Sequence, residues 1–452
     1  MAQMKIDGAK SVPEVMVIGA GLAGSEAAWQ LATRGIKVKL FEMRPKKYTP
    51  AHKTDKFAEL VCSNSLGSNV EESPGGILKS ELRRLGSLIM ECADRNGVPA
   101  GRALAVDREL FSQCVTEKLK EHPLVEIRHE EIGYLPHSLA IVATGPLTSD
   151  AMAKSLKSVV GEDFLYFFDA VAPIVTAESI EMSKAYKASR YGKGEDYINC
   201  PLTEEEYYAF WEALVSAERA PLEEFERDSK FFEGCLPVEI LAKRGKDTLR
   251  YGPMRPVGLE NPHDGKRPFA VVQLRQENKA GTLYNLVGFQ TNLRWKEQER
   301  VFRIIPALRG AEFVRFGVMH RNIYVNAPRV LDGSLRLREM RYIYLAGQIT
   351  GVEGYVESTA MGLVAGINAA CQAFGVELPR WPVETAIGSL MNHLSEERPH
   401  GFQPMNINLG LFPPLGERIK DRSKKLAKHA ERAKVALEAF IKEHKEVVVE
   451  KN

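Results

Sequence analysis

The chain has 452 residues, 44% of them hydrophobic and 27% charged, with a formal net charge of +2. That length exceeds what one core usually sustains, roughly 250 to 300 residues, so two closely joined domains are expected. No apolar run approaches the roughly 20 residues of a spanning helix. The leading MAQMKIDGAKSVPE lacks the apolar stretch of a secretion signal, so a cytoplasmic protein without membrane contact is expected. Near-neutral charge excludes a global positive field, so any nucleic-acid partner must be gripped by local basic patches.

Residues 15 to 42 read as a β-α-β unit: the strand VMVIG, the turn GAGLAG, an alanine-rich helix to about Arg34 and the strand KVKLFE, closed by Pro45. Loop-like sequence from 46 to 76 precedes a helix predicted from Leu78 to Asp94, and the strand LAIVATG ends at Gly145. Between about 170 and 330 proline, glycine and aromatic residues rise. There EEEYYAFWEALVSAE alternates with FAVVQLR and NLVGFQ, the signature of an inserted α+β domain. YIYLAG at 342 to 347 restores the buried-strand pattern, and a helix is predicted from Val356 to Phe374. A charged amphipathic helix, about 417 to 444, closes the chain with Ile419, Leu426, Ala430, Ala433, Leu437 and Ile441 on one stripe.

The turn Gly19, Ala20, Gly21, Leu22, Ala23, Gly24 matches G-x-G-x-x-G, follows a strand, opens a helix and is trailed by Glu42 at a strand end. Gly19 permits the tight turn, Gly21 admits a pyrophosphate and Gly24 lets helix pack on sheet. Phosphates then rest on the amides of the helix N-terminus, and Glu42 accepts from the adenosine ribose. The segment LAGQITGVEGYVESTAMGLVAGINAA, 345 to 370, supplies a second such site around Gly347, Gly351 and Gly354. Two converging anion sites favour FAD over NAD. The expected fold is therefore α/β: a Rossmann-like FAD-binding domain in two parts, 1–170 and 331–452, with an inserted α+β substrate domain at 171–330 and a C-terminal helix.

Six cysteines, at 62, 92, 114, 200, 235 and 371, contain no C-x-x-C pair, which argues against zinc and disulfides, and no metal is expected. Cys92, Cys114 and Cys371 lie in helical patterns and read as buried packing residues, with Cys200 undecided. Cys62 and Cys235 lie in loop-like segments. As bare sequence, an inert reading of these two thiols is the stronger.

Val17 to Pro45, FAELVCSNSLGS at 57 to 68, FFEGCLPVE at 231 to 239, GPMRPVGL at 252 to 259, the 345 to 370 segment and GFQPMNINLGLFPP at 401 to 414 together resemble the TrmFO family. These are folate- and FAD-dependent tRNA (uracil-5-)-methyltransferases. The 345 to 370 segment is also similar to MnmG, a flavoprotein of the same superfamily that modifies the wobble uridine. The resemblance implies 5-methyluridine formation in the T-loop of tRNA. Its one-carbon unit comes from 5,10-methylenetetrahydrofolate and its reducing equivalent from FADH2, regenerated by NAD(P)H. C5 of uracil is a poor nucleophile, so a thiolate commonly adds at C6 to make an enolate. The resemblance makes Cys235 the C6 nucleophile and Cys62 the C5 base or a carrier of the methylene, with the roles exchangeable.

Extracting one loop uridine requires phosphate contacts elsewhere. Lys243, Arg244, Lys246 and Arg250, near Arg255, are the first choice, and the basic residues of the last helix, including Arg418, the second. Tyr355 is the choice for stacking beside the flavin, and His320 for a flavin-side or substrate group. No obligatory protein partner is expected. Two alternatives retain the nucleotide motifs: an MnmG-like wobble-uridine enzyme and a small-molecule NAD(P)H-dependent flavin oxidoreductase.

Overall fold

The segment EVMVI buries Val15 and Val17 completely and Ile18 almost so. It takes the middle place in a five-stranded parallel sheet. The strand order is Ile343–Leu345, Ala140–Val142, Glu14–Ile18, Lys37–Phe41 and Val125–Arg128. Ala140 to Val142 and Ile343 to Leu345 are wholly buried, the unbroken apolar pattern of a parallel sheet covered on both faces. Four strands come from the first third of the chain and the edge strand from residue 343 onward, so the late segment does return to the first sheet. The structure, a computed structural model, describes residues 12–170, 172–220, 236–317, 319–397, 402–417 and 419–445, without the side chains of 162, 164–170 and 319–321.

Helix Leu22–Ala32 follows the first strand, and helix Tyr355–Phe374 lies along it. A Cβ on Gly362 would stand 2.2 Å from the carbonyl of Ala23, and one on Gly366 2.9 Å from that of Ala27. Pairing at i and i+4 on both sides sets the helices parallel, backbone against backbone. Leucine at either glycine would force them apart.

The helix predicted from Leu78 to Asp94 is two helices, Pro74–Arg84 and Leu88–Arg95. Gly86, at φ +71°, turns the chain between them. Ser87 restarts it by accepting from the amide of Met90. The first begins earlier than expected because Ser73 caps it and Pro74 fits its opening turn. The expected loop at 46 to 76 also holds strand Ser65–Ser68, paired with Ala103–Val106.

Residues 174 to 315 build a second, antiparallel sheet of six strands: 186–187, 197–202, 270–276, 283–286, 174–176 and 313–315. Helix Glu204–Ser216, opened by a Thr203/Glu206 capping box, packs Tyr207, Phe210 and Leu214 into a separate core with Phe289 and Phe302. The run NLVGFQ is strand only to Leu286, because Gly288 at φ +78° turns away. Among the described residues, strands Phe164–Ala170 and Met319–Val325 form a separate antiparallel pair.

The last helix runs Arg422–Glu443, later than predicted, because Asp421 caps it through the amide of Lys424. Ala433, Leu437 and Ile441 are buried as expected. Leu426 and Ala430 are only half-buried, and His429 and Phe440 share the buried face. The Phe440 ring lies 4.6 Å from that of Trp381, and Glu438 pairs with Arg84 at 2.7 Å.

Candidate active site

Local sterics explain the first turn. Gly19 has φ +98°, and a Cβ there would stand 2.6 Å from the carbonyl oxygen of Ala143. Its amide donates to Phe41 at 2.8 Å, locking turn to sheet. A Cβ on Gly24 would come within 1.7 Å of the Gly19 oxygen. At Gly21 a Cβ would meet nothing within 4 Å, because that position faces open space. The helix that begins there has neither a side-chain cap nor an acidic residue in its first turn. Its leading amides therefore have no side-chain acceptor, and the dipole favours an anion.

The second helix N-terminus opens on the same space. Gly354, at φ +115°, precedes Tyr355 without a side-chain cap, and a Cβ on Gly347 would stand 2.7 Å from that of Ala23. Glu357, in the first turn, is buried and accepts from the amide of Ile407 at 3.0 Å. Burial pushes its carboxyl upward despite that bond, which lessens negative charge at this helix end. Gly21, Glu42, His52, Gly145, Gly347 and Tyr355 all line one cleft with about 1030 Å³ of empty space, open solvent included.

Glu42 reaches this cleft with both oxygens already engaged. One accepts from the amide of Ala20 at 3.0 Å, and the other from the amide and Nε of Arg44 at 3.1 and 2.9 Å. Burial opposes its charge, but the Arg44 guanidinium outweighs burial and holds the carboxyl below its usual range. A carboxylate offers about four lone-pair sites, so acceptor capacity remains for a hydroxyl. Arg44, only 2% exposed, also pairs with Glu59 at 3.1 Å. Beside it, His52 Nδ1 bonds Thr49 Oγ1 at 2.6 Å. Burial, then Arg44, lowers its imidazole to about 4, so this cleft residue is neutral at physiological pH.

The loop carrying Cys62 stands at the cleft wall. Tyr355 Oη accepts from the Cys62 amide at 2.7 Å, and Val61 and Tyr355 both line the cleft. Arg108 donates to the carbonyls of Leu60 and Cys62, the latter at 2.9 Å, and pairs with Glu277 at 2.6 Å. Arg315 donates to the carbonyl of Val61. Arg275 holds Ser63 Oγ at 2.5 Å and Asn64 Oδ1 at 2.9 Å. The loop thus rests in a basket of guanidiniums from one helix of the first half and two strands of the antiparallel sheet.

Sequence reasoning missed Arg108, Arg275, Arg315, Arg44 and His52. One signal was present: an arginine inside the otherwise buried run AVVQLRQ is out of place unless it has a specific task. Cys235 lies outside the described residues, as do Arg418 and the side chain of His320. Cys92, Cys200 and Cys371 are buried, as packing thiols should be, and Cys114 is half-buried on a helix.

Lys243, Arg244, Lys246 and Arg255 are exposed, as is Tyr251 at 81%. Arg250 is not available in the same way. Its guanidinium stacks 3.6 Å from the Phe269 ring centroid and pairs with Asp247 at 3.0 Å. On the last helix Lys424 and Lys425 are exposed, while Arg432 donates to the carbonyls of Pro413 and Pro414. Among the described residues no helix is long and apolar enough to cross a membrane.

Residues 14–377 match the family Glucose inhibited division protein A. The Aquifex aeolicus GidA structure superposes with a TM-score of 0.67 at 17% identity, covering 96% of this chain and 75% of that one, which speaks for the fold. The methylenetetrahydrofolate–tRNA-(uracil-5-)-methyltransferase TrmFO of Anoxybacillus flavithermus is 59% identical over 95% of this chain and 99% of its own length. That of Desulforudis audaxviator is 59% identical over 95% and 98%, and that of Halalkalibacterium halodurans 57% over 96% and 99%. With motifs, fold and near full-length identity in agreement, the chain belongs to the TrmFO family, within the wider GidA group.

Proposed function

We propose that this protein methylates C5 of a T-loop uridine in tRNA, taking the carbon from 5,10-methylenetetrahydrofolate. The observation that carries the reading is the Cys62–Tyr355 contact, which fixes a thiol-bearing loop to the wall of the cleft lined by Gly21, Glu42 and Gly347. FAD fits that cleft. Uncapped amides at Leu22 and Tyr355 suit its diphosphate, the space beside Gly21 admits it, and Glu42 retains capacity for a ribose hydroxyl. When bound, FAD supplies the reducing equivalent, with NAD(P)H as its source.

The chain's own residues perform the rest. A thiolate, Cys235, adds to C6 of the uracil and makes an enolate whose C5 takes the methylene carbon. The C5 proton must then leave, and Cys62 accepts it or handles the methylene. Loss of that proton expels tetrahydrofolate from the methylene carbon, the resulting exocyclic methylene on the uracil takes the reducing equivalent, and departure of the C6 thiolate restores the ring. Tyr355 positions the Cys62 loop through its amide. Lys243, Arg244 and Lys246, with Tyr251 among them, form a phosphate-binding face for tRNA. The boundaries 1–170, 171–330 and 331–452 are the division that accompanies this reading, with the middle stretch taking tRNA and folate. A cytoplasmic enzyme that needs no protein partner completes it.

Both alternative readings, wobble-uridine chemistry and small-molecule flavin oxidation, leave the held Cys62 loop without a task. Purified protein, unmodified tRNA, labelled methylenetetrahydrofolate and NAD(P)H test the proposal: label must enter 5-methyluridine. Flavin oxidation without label in RNA refutes it. Trapping with 5-fluorouridine RNA separates the thiols, since an adduct that survives Cys235→Ala and disappears in Cys62→Ala exchanges their roles.

A further inference from the structure

Arg108, Arg275 and Arg315 converge on residues 60 to 64 and are all largely buried. Withdrawing three guanidiniums from water is costly unless anions face them. Glu277 supplies one, at 2.6 Å from Arg108. Besides Glu277 and the repulsion of Arg108 on the other two, the groups that act on these arginines are tyrosines and Cys62. Burial pushes the Tyr355 and Tyr197 hydroxyls upward, so both are neutral at physiological pH. Lys53 adds a fourth positive charge nearby, and Glu59, which also faces it, is already engaged with Arg44. Arg108, Arg275, Arg315 and Lys53 thus outnumber Glu277, and this excess of positive charge favours an anionic Cys62.

We propose that the arginine basket holds Cys62 as a thiolate at neutral pH, with Arg108 as the positioning residue that fixes the loop through the Leu60 and Cys62 carbonyls. The inference rests on the reading of Cys62 as a working thiol and says how it is ionised. A thiol in water is only a few per cent ionised at pH 7, and nearby cations raise that share. Two of the three arginines come from the antiparallel sheet, so the charge state of Cys62 depends on how that sheet docks on the first. A general base at C5 must begin deprotonated, which this arrangement secures without a histidine.

The test is the pH dependence of Cys62 alkylation by iodoacetamide in the full-length holoenzyme, read peptide by peptide. Thiolate ultraviolet absorbance, as the difference between wild type and Cys62→Ser, reports the same ionisation if the reagent cannot enter. Wild-type ionisation is expected to be complete well below the ordinary thiol midpoint of about 8.5. Arg108→Gln and Arg315→Gln should raise that midpoint by about one unit or more, and Glu277→Gln should lower it. Arg108→Lys keeps the charge and should leave the midpoint low while slowing methylation, because one ammonium cannot span both carbonyls. If Arg108→Gln does not fold, the double change Arg108→Gln with Glu277→Gln removes the buried pair together and Arg315→Gln stands alone. A wild-type midpoint at or above about 8.5, or one unmoved by the arginine changes, overturns the proposal. Loss of the functional reading looks different: a low midpoint together with full methylation by Cys62→Ser.

Discussion

Alanine at Gly21 and at Gly24 separates cofactor binding from folding within one turn of chain. At Gly21, with φ −72° and ψ −168°, alanine is sterically ordinary, and its Cβ meets no protein atom within 4 Å. The cost to the apoprotein is the cap preference alone, about 0.5 to 1 kcal/mol. The new methyl group enters the space where the FAD diphosphate meets the helix amides. Two charge-assisted hydrogen bonds lost there, at about 1.5 to 3 kcal/mol each, weaken FAD roughly 100- to 10,000-fold. At Gly24 the Cβ would lie 1.7 Å from the Gly19 oxygen, so turn and helix must separate, at about 3 kcal/mol or more before any ligand is added. Flavin-fluorescence titration of the apoproteins, with urea unfolding of each, distinguishes the two. Wild-type FAD affinity in Gly21→Ala, or wild-type stability in Gly24→Ala, refutes the steric reasoning.

Glu81 is wholly buried, accepts from the amides of Ala386 and Ile387, and is pushed by burial to about 8. Its folded value exceeds the unfolded one, so its contribution is fully present below about pH 4.3 and is lost as pH rises toward 8. Glu81→Gln should flatten that decline in a urea-unfolding series across pH, and an unchanged slope counts against it. Cys200, pushed up to about 12 by burial, should resist alkylation until the chain unfolds; modification of the native protein at this peptide contradicts its place in the core. Lys243→Ala should lower the salt slope of tRNA binding by roughly 0.7 to 0.9 without loss of stability, whereas Lys246→Ala also removes a cation 5.6 Å from the Trp211 ring centroid. Arg250→Ala should do the reverse, lowering stability through its Phe269 and Asp247 contacts, and filter binding with thermal melts tells these outcomes apart.

The dinucleotide turn was legible because its reasons are local: Gly19 and Gly24 are each explained by an atom a few residues away or across one strand pair, and Gly21 by the open space beside it. The inserted antiparallel sheet was legible too, from alternating strand and helix patterns. The Cys62 basket was not. Its arginines come from positions 108, 275 and 315, and no periodicity links a helix start to two separate strands. Of the three, only Arg275, in a buried apolar strand, carried a signal in the chain itself. The helix broken at Gly86 failed for a different reason, because an apolar stripe continued across a glycine–serine pair that stops one helix and caps the next. Arg250 shows the converse error. A basic run suggests a surface, yet one of its cations stacks on an aromatic ring drawn from later in the sequence.

The backbone seam between helices Leu22–Ala32 and Tyr355–Phe374 also sets an order of events during synthesis. The first half of the nucleotide site leaves the ribosome early, but its companion helix, and the edge strand that leads to it, emerge only after the whole antiparallel sheet. Until then Ala23 and Ala27 have no glycine face to meet, and the cleft lacks the side that Gly347, Gln348, Tyr355 and Ser358 supply. Flavin retention is therefore a late event that waits for the Tyr355–Phe374 helix, and a product truncated before residue 355 should leave translation colourless.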